Sequence, residues 1–149
     1  MNPYLIIGLP LGPSIAASLL KKIEPEKFNL RLEGDRFTLT EMFGHLGESE
    51  ILLRQRMQLV KASPGCTVAV FDIDDEETMH RLASRSLEEW LGIWKSEREE
   101  TSSWISGLSS ADFAIQFVHP TLGEMKIEDV ANMFLGHDQY HIQQLTEFI

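Results

Sequence analysis

The sequence is short of cysteine and of positive charge. Among its 149 residues, Cys66 is the single cysteine, which excludes an internal disulfide and fits a reducing compartment, so we expect a cytoplasmic protein. The 13 lysines and arginines face 23 acidic residues, and the net charge of −10 opposes binding to nucleic acid or to an anionic membrane. Neither nucleic acid nor a membrane is therefore an expected partner.

Long apolar runs and targeting signals are also expected to be absent. We expect no apolar run to approach the roughly 18 residues of a membrane-spanning helix. The apolar stretch 1–11 lacks the basic segment and the small-residue cleavage site of a secretory signal peptide. With 43% hydrophobic and 24% charged residues, the chain has the composition of one ordinary folded domain, 1–149.

Hydrophobic periodicity predicts an all-α four-helix bundle. The four helices are expected at 12–24, 38–62, 86–107 and 127–149, after an irregular arm at 1–11. The second helix begins with a capping box, in which Thr38 and Glu41 satisfy each other's free backbone N–H groups. The connections are predicted as loops at 28–37 and 109–126, a short strand at 66–71, an acidic turn at 72–77 and a short helix at 77–84.

The last helix carries the strongest functional signal. Its inner stripe consists of Val130, Met133, Phe134, His137, His141, Gln144, Leu145 and Phe148, so a polar patch interrupts an apolar face. His137 and His141 are one turn apart, close enough to bind a single ion. A buried polar patch needs a partner, and a metal ion would supply it. The alternative is a pair of core histidines hydrogen-bonded to each other or to water.

His45 is the best candidate for a third metal ligand, because it lies beside Met42 and Leu46 on the inner side of the second helix. A bundle brings inner faces together, so His45 is expected to meet the C-terminal pair. Three neutral imidazoles leave coordination positions open, as in catalytic sites, and suit Zn²⁺, Ni²⁺, Fe²⁺ or Mn²⁺. The remaining histidines, His80 and His119, are expected at the surface.

Two segments resemble the histidine motifs of the DinB/YfiT-like family. Residues 38–50 are similar to the first motif, and 119–123 together with the helix bearing His137 and His141 are similar to the second. The resemblance covers 12–145 and implies an up-down-down-up bundle that is often dimeric. It also implies that three histidines bind a divalent metal, for which Zn or Ni is the first choice. Lys126 departs from the pattern, since the family tends to have Ser or Thr as the cap at this position.

The resemblance also implies a choice of activities. Relatives include metal-dependent hydrolases and transferases that use a low-molecular-weight thiol such as bacillithiol, mycothiol or glutathione. The chain is therefore expected to be a hydrolase or a thiol-dependent transferase that acts on a small-molecule substrate through a metal-activated water or thiolate. The alternative is a bundle that binds a metal or ligand without turnover. A ferritin-like di-iron site is disfavoured, because it needs two Glu-x-x-His motifs and only 77–80 has that form.

Glu50, Arg98 and Gln144 are the candidate catalytic residues. Glu50 lies on the inner stripe of the second helix, where it could hold a histidine N–H, act as a general base, or pair with Arg54 or Arg98. Arg98 could face an anionic substrate, or extend to solvent at the bundle edge. Gln144 could donate a hydrogen bond to a metal-bound water, whereas Asp138 is expected at the surface.

Overall fold

A computed structural model describes residues 2–34, 36–71, 73 and 75–149; Met1, Asp35, Asp72 and Asp74, from the predicted arm, loop and acidic turn, lie outside the described residues. The helices are α1 (Pro3–Gly8), α2 (Gly12–Leu20), α3 (Leu39–Ala62), α4 (Glu76–Leu82), α5 (Leu87–Ser106), α6 (Ser110–Phe113) and α7 (Ile127–Thr146). Two short strands, β1 (Gln116–His119) and β2 (Gly123–Lys126), form an antiparallel hairpin. The predicted all-α four-helix bundle is confirmed, with α2, α3, α5 and α7 as its helices and the hairpin as a minor addition.

Helices α3 and α5 run in the same direction. Gly44 faces the Trp90 ring, and Glu50 further along α3 pairs with Arg98 further along α5. Parallel neighbours need a connection that returns along the bundle, and residues 63–86, which contain α4, provide it.

Helix α7 runs antiparallel to α3 and parallel to α2. Leu39 at the start of α3 shares a core cluster with Leu145 near the end of α7, whereas Val60 at the end of α3 shares another with Val130. Helix α2 begins beside Asp138 and continues towards the cluster around Leu145. The four helices therefore have the up-down-down-up order implied by the family resemblance.

The predicted capping box at the start of α3 is present. The Thr38 hydroxyl accepts the backbone N–H of Glu41 at 3.2 Å, and the Glu41 carboxylate accepts that of Thr38 at 2.7 Å. At the start of α7 the side chain of Lys126 caps nothing, but the Asp129 carboxylate accepts the backbone N–H of Lys126 at 2.7 Å. Half of a capping box is thus retained where the sequence departs from the family pattern.

The segment 3–11, predicted as an irregular arm, is helical, so that prediction is wrong. Pro3 occupies the first turn of α1, where its missing N–H is not needed. The Asn2 side chain accepts the backbone N–H of Tyr4 at 3.0 Å and caps the helix. A 3-10 turn, Leu9–Leu11, contains the second proline and joins α1 to α2.

The expectation that no apolar run approaches the length of a membrane-spanning helix is also wrong. The stretch Pro3–Leu20 has 18 residues and a mean hydropathy of 1.5, which is long and apolar enough to cross a membrane. A buried helix of a soluble protein passes the same test, and 33% of this stretch is buried against the bundle, including Leu5 and Leu9. The absence of a membrane partner stays a prediction.

The segment 109–126 contains more regular structure than the predicted loop. Its hairpin was missed because each strand has only four residues, too few to show clear alternation. Gly123, with φ +79°, permits the tight turn between the strands. The strand predicted at 66–71 is reduced to a single bridge, in which Thr67 pairs with Val118 of β1.

Candidate metal centre

The structure brings the three predicted histidine ligands together between α3 and α7. The Nε2 atom of His137 lies 2.9 Å from Nε2 of His45 and 3.1 Å from Nε2 of His141. The spacing of four residues on α7 brings two of the rings edge to face, and the antiparallel packing of α3 adds the third. One ligand atom from each residue lies within 4.8 Å of the others, so this cluster could hold a metal ion.

All three imidazoles are neutral at neutral pH. Burial, followed by the neighbouring imidazoles, lowers the pKa of His45 to about 3. Burial and the charge of Arg98 lower the pKa of His137 to about 4, and burial and His137 lower that of His141 to about 4. Neutral imidazole is the form that binds a metal, so no proton has to be removed first.

Gln144 determines which ring nitrogen of His141 carries the proton. Its Oε1 atom lies 2.8 Å from Nδ1 of His141, and because a carbonyl oxygen only accepts, Nδ1 must donate. Nε2 of His141 therefore presents a lone pair to the centre of the cluster. The Nε2 atoms of three neutral imidazoles cannot all be satisfied by one another, and a divalent cation fits this donor set.

A second buried polar cluster lies beside the histidines. It consists of Glu50, Arg98 and Asp138, whose side chains are at most 7% exposed. Arg98 donates to Oε2 of Glu50 at 2.7 and 2.9 Å, to the Asp138 carboxylate at 2.5 and 2.9 Å, and to the carbonyl of Leu9 at 2.6 Å. Burial opposes the charged guanidinium, but these hydrogen bonds outweigh it and raise the pKa of Arg98. We call this the arginine cluster.

The arginine cluster corrects two predictions. Arg98 does not extend to solvent at the bundle edge, because it is 2% exposed and enclosed by two carboxylates. Asp138 is not a surface residue, because α7 packs on α3 through its histidines and on α2 through the neighbouring face. Gly12 of α2 makes this possible, since a Cβ there would collide with the Asp138 carboxylate.

Glu50 adopts one of the arrangements considered for it, the pair with Arg98. It is five residues after His45, about 140° around the helix, and so faces α5 rather than the histidines. Its second oxygen, Oε1, is buried and has no hydrogen-bond partner among the described residues. The catalytic roles of Glu50 and Arg98 stay predictions.

An apolar cavity of about 220 Å³ opens beside His137. Its walls are formed by α3, α7, residues 70, 71 and 73 and the end of β1, with Ser49, Leu52, Leu53, Arg56, Val70, Phe71, Ile73, His119, Met133 and His137 lining it. His137 is more exposed than the other two histidines, so the open side of the histidine cluster faces this cavity. A small molecule in the cavity would lie next to a metal held by the histidines.

The two remaining histidines differ from each other. His80 is exposed on α4, as predicted. His119 is 9% exposed, so its predicted surface position is wrong; its Nδ1 accepts the backbone N–H groups of Thr121 and Leu122, each at 3.2 Å. Alternate residues of β1 face inward, which buries the ring in the cavity wall but leaves it outside the metal cluster.

Arg56 is the lining residue that sequence reasoning missed. It lies eleven residues after His45 on α3, a spacing of about three turns that leaves both residues on nearly the same face. That periodicity was available from the sequence. Arg56 was missed because a long cationic side chain on a helix usually reaches solvent.

A comparison with protein-family models matches residues 12–145 to the DinB superfamily. The chain belongs to this superfamily. A comparison with functionally curated proteins found no match. Among solved structures, YfiT from Bacillus subtilis, described as a probable metal-dependent hydrolase with an unusual four-helix bundle topology, superposes with a TM-score of 0.84. The alignment covers 97% of this chain and 83% of YfiT at 15% sequence identity, so it shows that the DinB-like chain shares the YfiT fold.

Proposed function

We propose that this DinB-superfamily protein is a divalent-metal-dependent hydrolase of a small molecule. The observation that carries the proposal is the convergence of three neutral histidine Nε2 atoms beside an apolar cavity. His45, His137 and His141 would hold the metal. The bound metal would supply Lewis-acid chemistry, lowering the pKa of a water molecule and polarising a carbonyl.

Zn²⁺ or Ni²⁺ is the first choice of metal in this proposal, with Fe²⁺ and Mn²⁺ as alternatives. All four accept imidazole ligands, so the donor set favours none of them alone. Gln144 is proposed as a positioning residue, because its contact with His141 holds the ring with Nε2 towards the metal. The hydrogen bond from Gln144 to a metal-bound water stays a prediction.

The cavity favours hydrolysis over transfer of a sugar-containing thiol. Its volume of about 220 Å³ lies below the range of about 300–1,000 Å³ that is usual for sites of drug-sized ligands. Its walls are mainly aliphatic and aromatic, whereas a thiol attached to a sugar would require many hydrogen-bonding groups. The description of YfiT as a probable metal-dependent hydrolase supports the same choice.

Metal analysis of protein purified without a polyhistidine tag tests this proposal. We expect about one transition metal per chain in the wild type and in His80→Ala, whose exposed histidine lies outside the cluster. His137→Ala and His141→Ala should lose the metal while keeping their helical circular-dichroism spectrum. Retention of stoichiometric metal in both variants would contradict the proposed ligand set.

The activity is tested separately, on metal-loaded protein. Hydrolysis of small esters and amides should be lost on chelation and restored by added metal, without any dependence on thiol. Turnover that requires added thiol would instead support the transferase. Stoichiometric metal without turnover of either kind would support the binding-only alternative.

We also propose that a second copy of the chain covers the outer face of α1 and α2. Four apolar side chains spaced three or four residues apart are exposed there: Tyr4 (73%), Ile7 (65%), Leu11 (49%) and Ile15 (44%). Light scattering should give a dimer for the wild type and for Leu122→Asp on the hairpin turn, and a monomer for Ile7→Asp. A monomeric wild type that sediments with lipid vesicles would assign this face to a membrane instead.

A further inference from the structure

The cavity beside His137 contains a buried cation. Arg56 is 7% exposed, although arginine is rarely buried to this degree without a partner. Among the described residues, no carboxylate forms an ion pair with it, whereas the deeper Arg98 has two. Burial lowers the pKa of Arg56, which expresses the cost of keeping this charge away from water.

The guanidinium of Arg56 is held in place, and the described residues do not occupy all of its hydrogen-bond donors. One Nη2 hydrogen is donated to the carbonyl of Ala69 at 2.7 Å, and the group lies 4.3 Å from the centre of the Phe71 ring. The Nε atom is buried and has no hydrogen-bond partner among the described residues. Nε–H and the second Nη2 hydrogen form the fork that binds a carboxylate through both oxygens.

The cation and the histidine cluster lie along one face of α3. His45 and Arg56 are separated by about 16 Å along the helix axis, at the rise of an α-helix. Ser49, Leu52 and Leu53 lie between them and line the cavity. The cavity thus has a metal-binding end at His137, an apolar middle and a cationic end at Arg56.

We propose that this cavity binds a small molecule with an apolar body and a terminal carboxylate, and that Arg56 is the residue that recognises the carboxylate. The apolar body lies against Leu52, Leu53, Phe71 and Met133, which places the opposite end of the molecule at the histidines. As a statement about substrate class, this rests on the proposed hydrolase function. The binding preference itself does not require bound metal.

Binding to chelator-treated, metal-free protein tests the inference, because a carboxylate then has no metal to bind. The probes are 3-phenylpropanoate and its neutral amide, titrated by calorimetry and followed through the methyl NMR signal of Met133. The wild type should bind the carboxylate about ten- to a hundred-fold more tightly than the amide, as expected for a charged hydrogen-bonded pair. Arg56→Met should lose this preference, and Arg56→Lys should retain only part of it.

Lys61→Met is the matched control, because it removes another cation of α3 that is half-exposed and paired with Asp112. It should leave the preference for the carboxylate unchanged. Equal binding of the two probes to the wild type, or no detectable binding of the carboxylate at millimolar concentration, would overturn the inference. So would a preference that survives in a folded Arg56→Met variant. If that variant does not fold, the wild-type comparison of the two probes still decides.

The same assay separates the two proposals. A wild type that binds no metal but prefers the carboxylate would overturn the hydrolase and leave the Arg56 site standing. A wild type that binds metal and hydrolyses neutral esters, with no preference for a carboxylate, would overturn the Arg56 site alone.

Discussion

The histidine cluster and the arginine cluster lie side by side in the bundle, and they differ in how their polar atoms are satisfied. In the arginine cluster a cation lies between two carboxylates, with three hydrogen-bonding groups of Arg98 all occupied. In the histidine cluster three neutral rings approach through nitrogen atoms that share too few protons to satisfy one another. Apart from Oε1 of Glu50, the first cluster satisfies its polar atoms among the described residues, whereas the second could hold a cation from outside.

The comparison shows that burial of polar groups has two different consequences in one core. Helices α3 and α7 each contribute to both clusters. Helix α3 carries His45 and Glu50, and helix α7 carries His137 and Asp138. Loss of a partner from the arginine cluster leaves a buried charge, whereas loss of a histidine removes a ring whose Nε2 atom shares too few protons with its neighbours. Stability should therefore depend on the arginine cluster and metal binding on the histidines.

The largest expected effect comes from Arg98→Met, which leaves Glu50 and Asp138 as two buried carboxylates without a cation. The free energy of unfolding should fall by about 3–5 kcal/mol, measured by urea denaturation. Arg81→Met removes an exposed ion pair with Glu48 and should cost no more than about 1 kcal/mol. Equal losses in the two variants would show that the arginine cluster does not stabilise the fold.

The next effect is expected from Gly12→Ala, which tests whether the arginine cluster needs the close approach of α2. The added Cβ meets the Asp138 carboxylate, so α2 or Asp138 must move, at a cost of about 1–3 kcal/mol. Gly92 lies exposed within α5 with nothing near its Cβ position. Gly92→Ala should therefore stabilise the protein by up to about 1 kcal/mol. Thermal denaturation of both variants provides the measurement.

A decrease in pH should destabilise the metal-free protein through the histidine cluster. The pKa values of the three histidines, about 3 to 4 in the folded state, lie below the ordinary value of 6.5. The unfolded chain therefore binds more protons below pH 6.5, and the stability of the metal-free protein decreases as the pH falls from there towards 4.

A histidine variant isolates one contribution to this pH dependence. Between pH 7 and pH 5, His137→Ala should lose about 2 kcal/mol less stability than the wild type, because one group with a lowered pKa is gone. Urea midpoints at the two pH values measure the difference. His80→Ala should behave like the wild type, and an unchanged pH dependence in His137→Ala would contradict the buried, neutral state of its ring.

The smallest effect is expected from Gln144→Leu, which removes the acceptor for Nδ1–H of His141. Metal affinity should fall about tenfold, equivalent to about 1.4 kcal/mol. Gln143→Leu is the control, since the exposed side chain of Gln143 donates to the exposed Glu147 and lies outside the histidine cluster. Competition with a chromophoric chelator measures both affinities. Equal affinities in the two variants would remove Gln144 from the metal centre.

Local signals explain which parts of the fold were predictable. The capping box at Thr38, the start of α7 at Ile127 and the four amphipathic helices follow from spacings of three to seven residues, which the chain satisfies within one element. The helical segment 3–11 was missed because its prolines and glycine are typical of irregular segments. The prolines instead lie in the first turns of α1 and of the 3-10 turn, and Gly8 lies where the two meet. The short hairpin was missed because four-residue strands carry too little pattern.

The sequence by itself determined the bundle, the histidine pair on α7 and the candidacy of His45, since these depend on helical period and on the inner faces of amphipathic helices. Only the tertiary structure decided the partners of Arg98, which lie 48 and 40 residues away on α3 and α7, and the burial of Asp138 against α2. The same holds for the cavity that encloses Arg56. The physical reason is that helical period orients a side chain relative to its own helix, whereas its partners depend on how the helices pack, which no local spacing records.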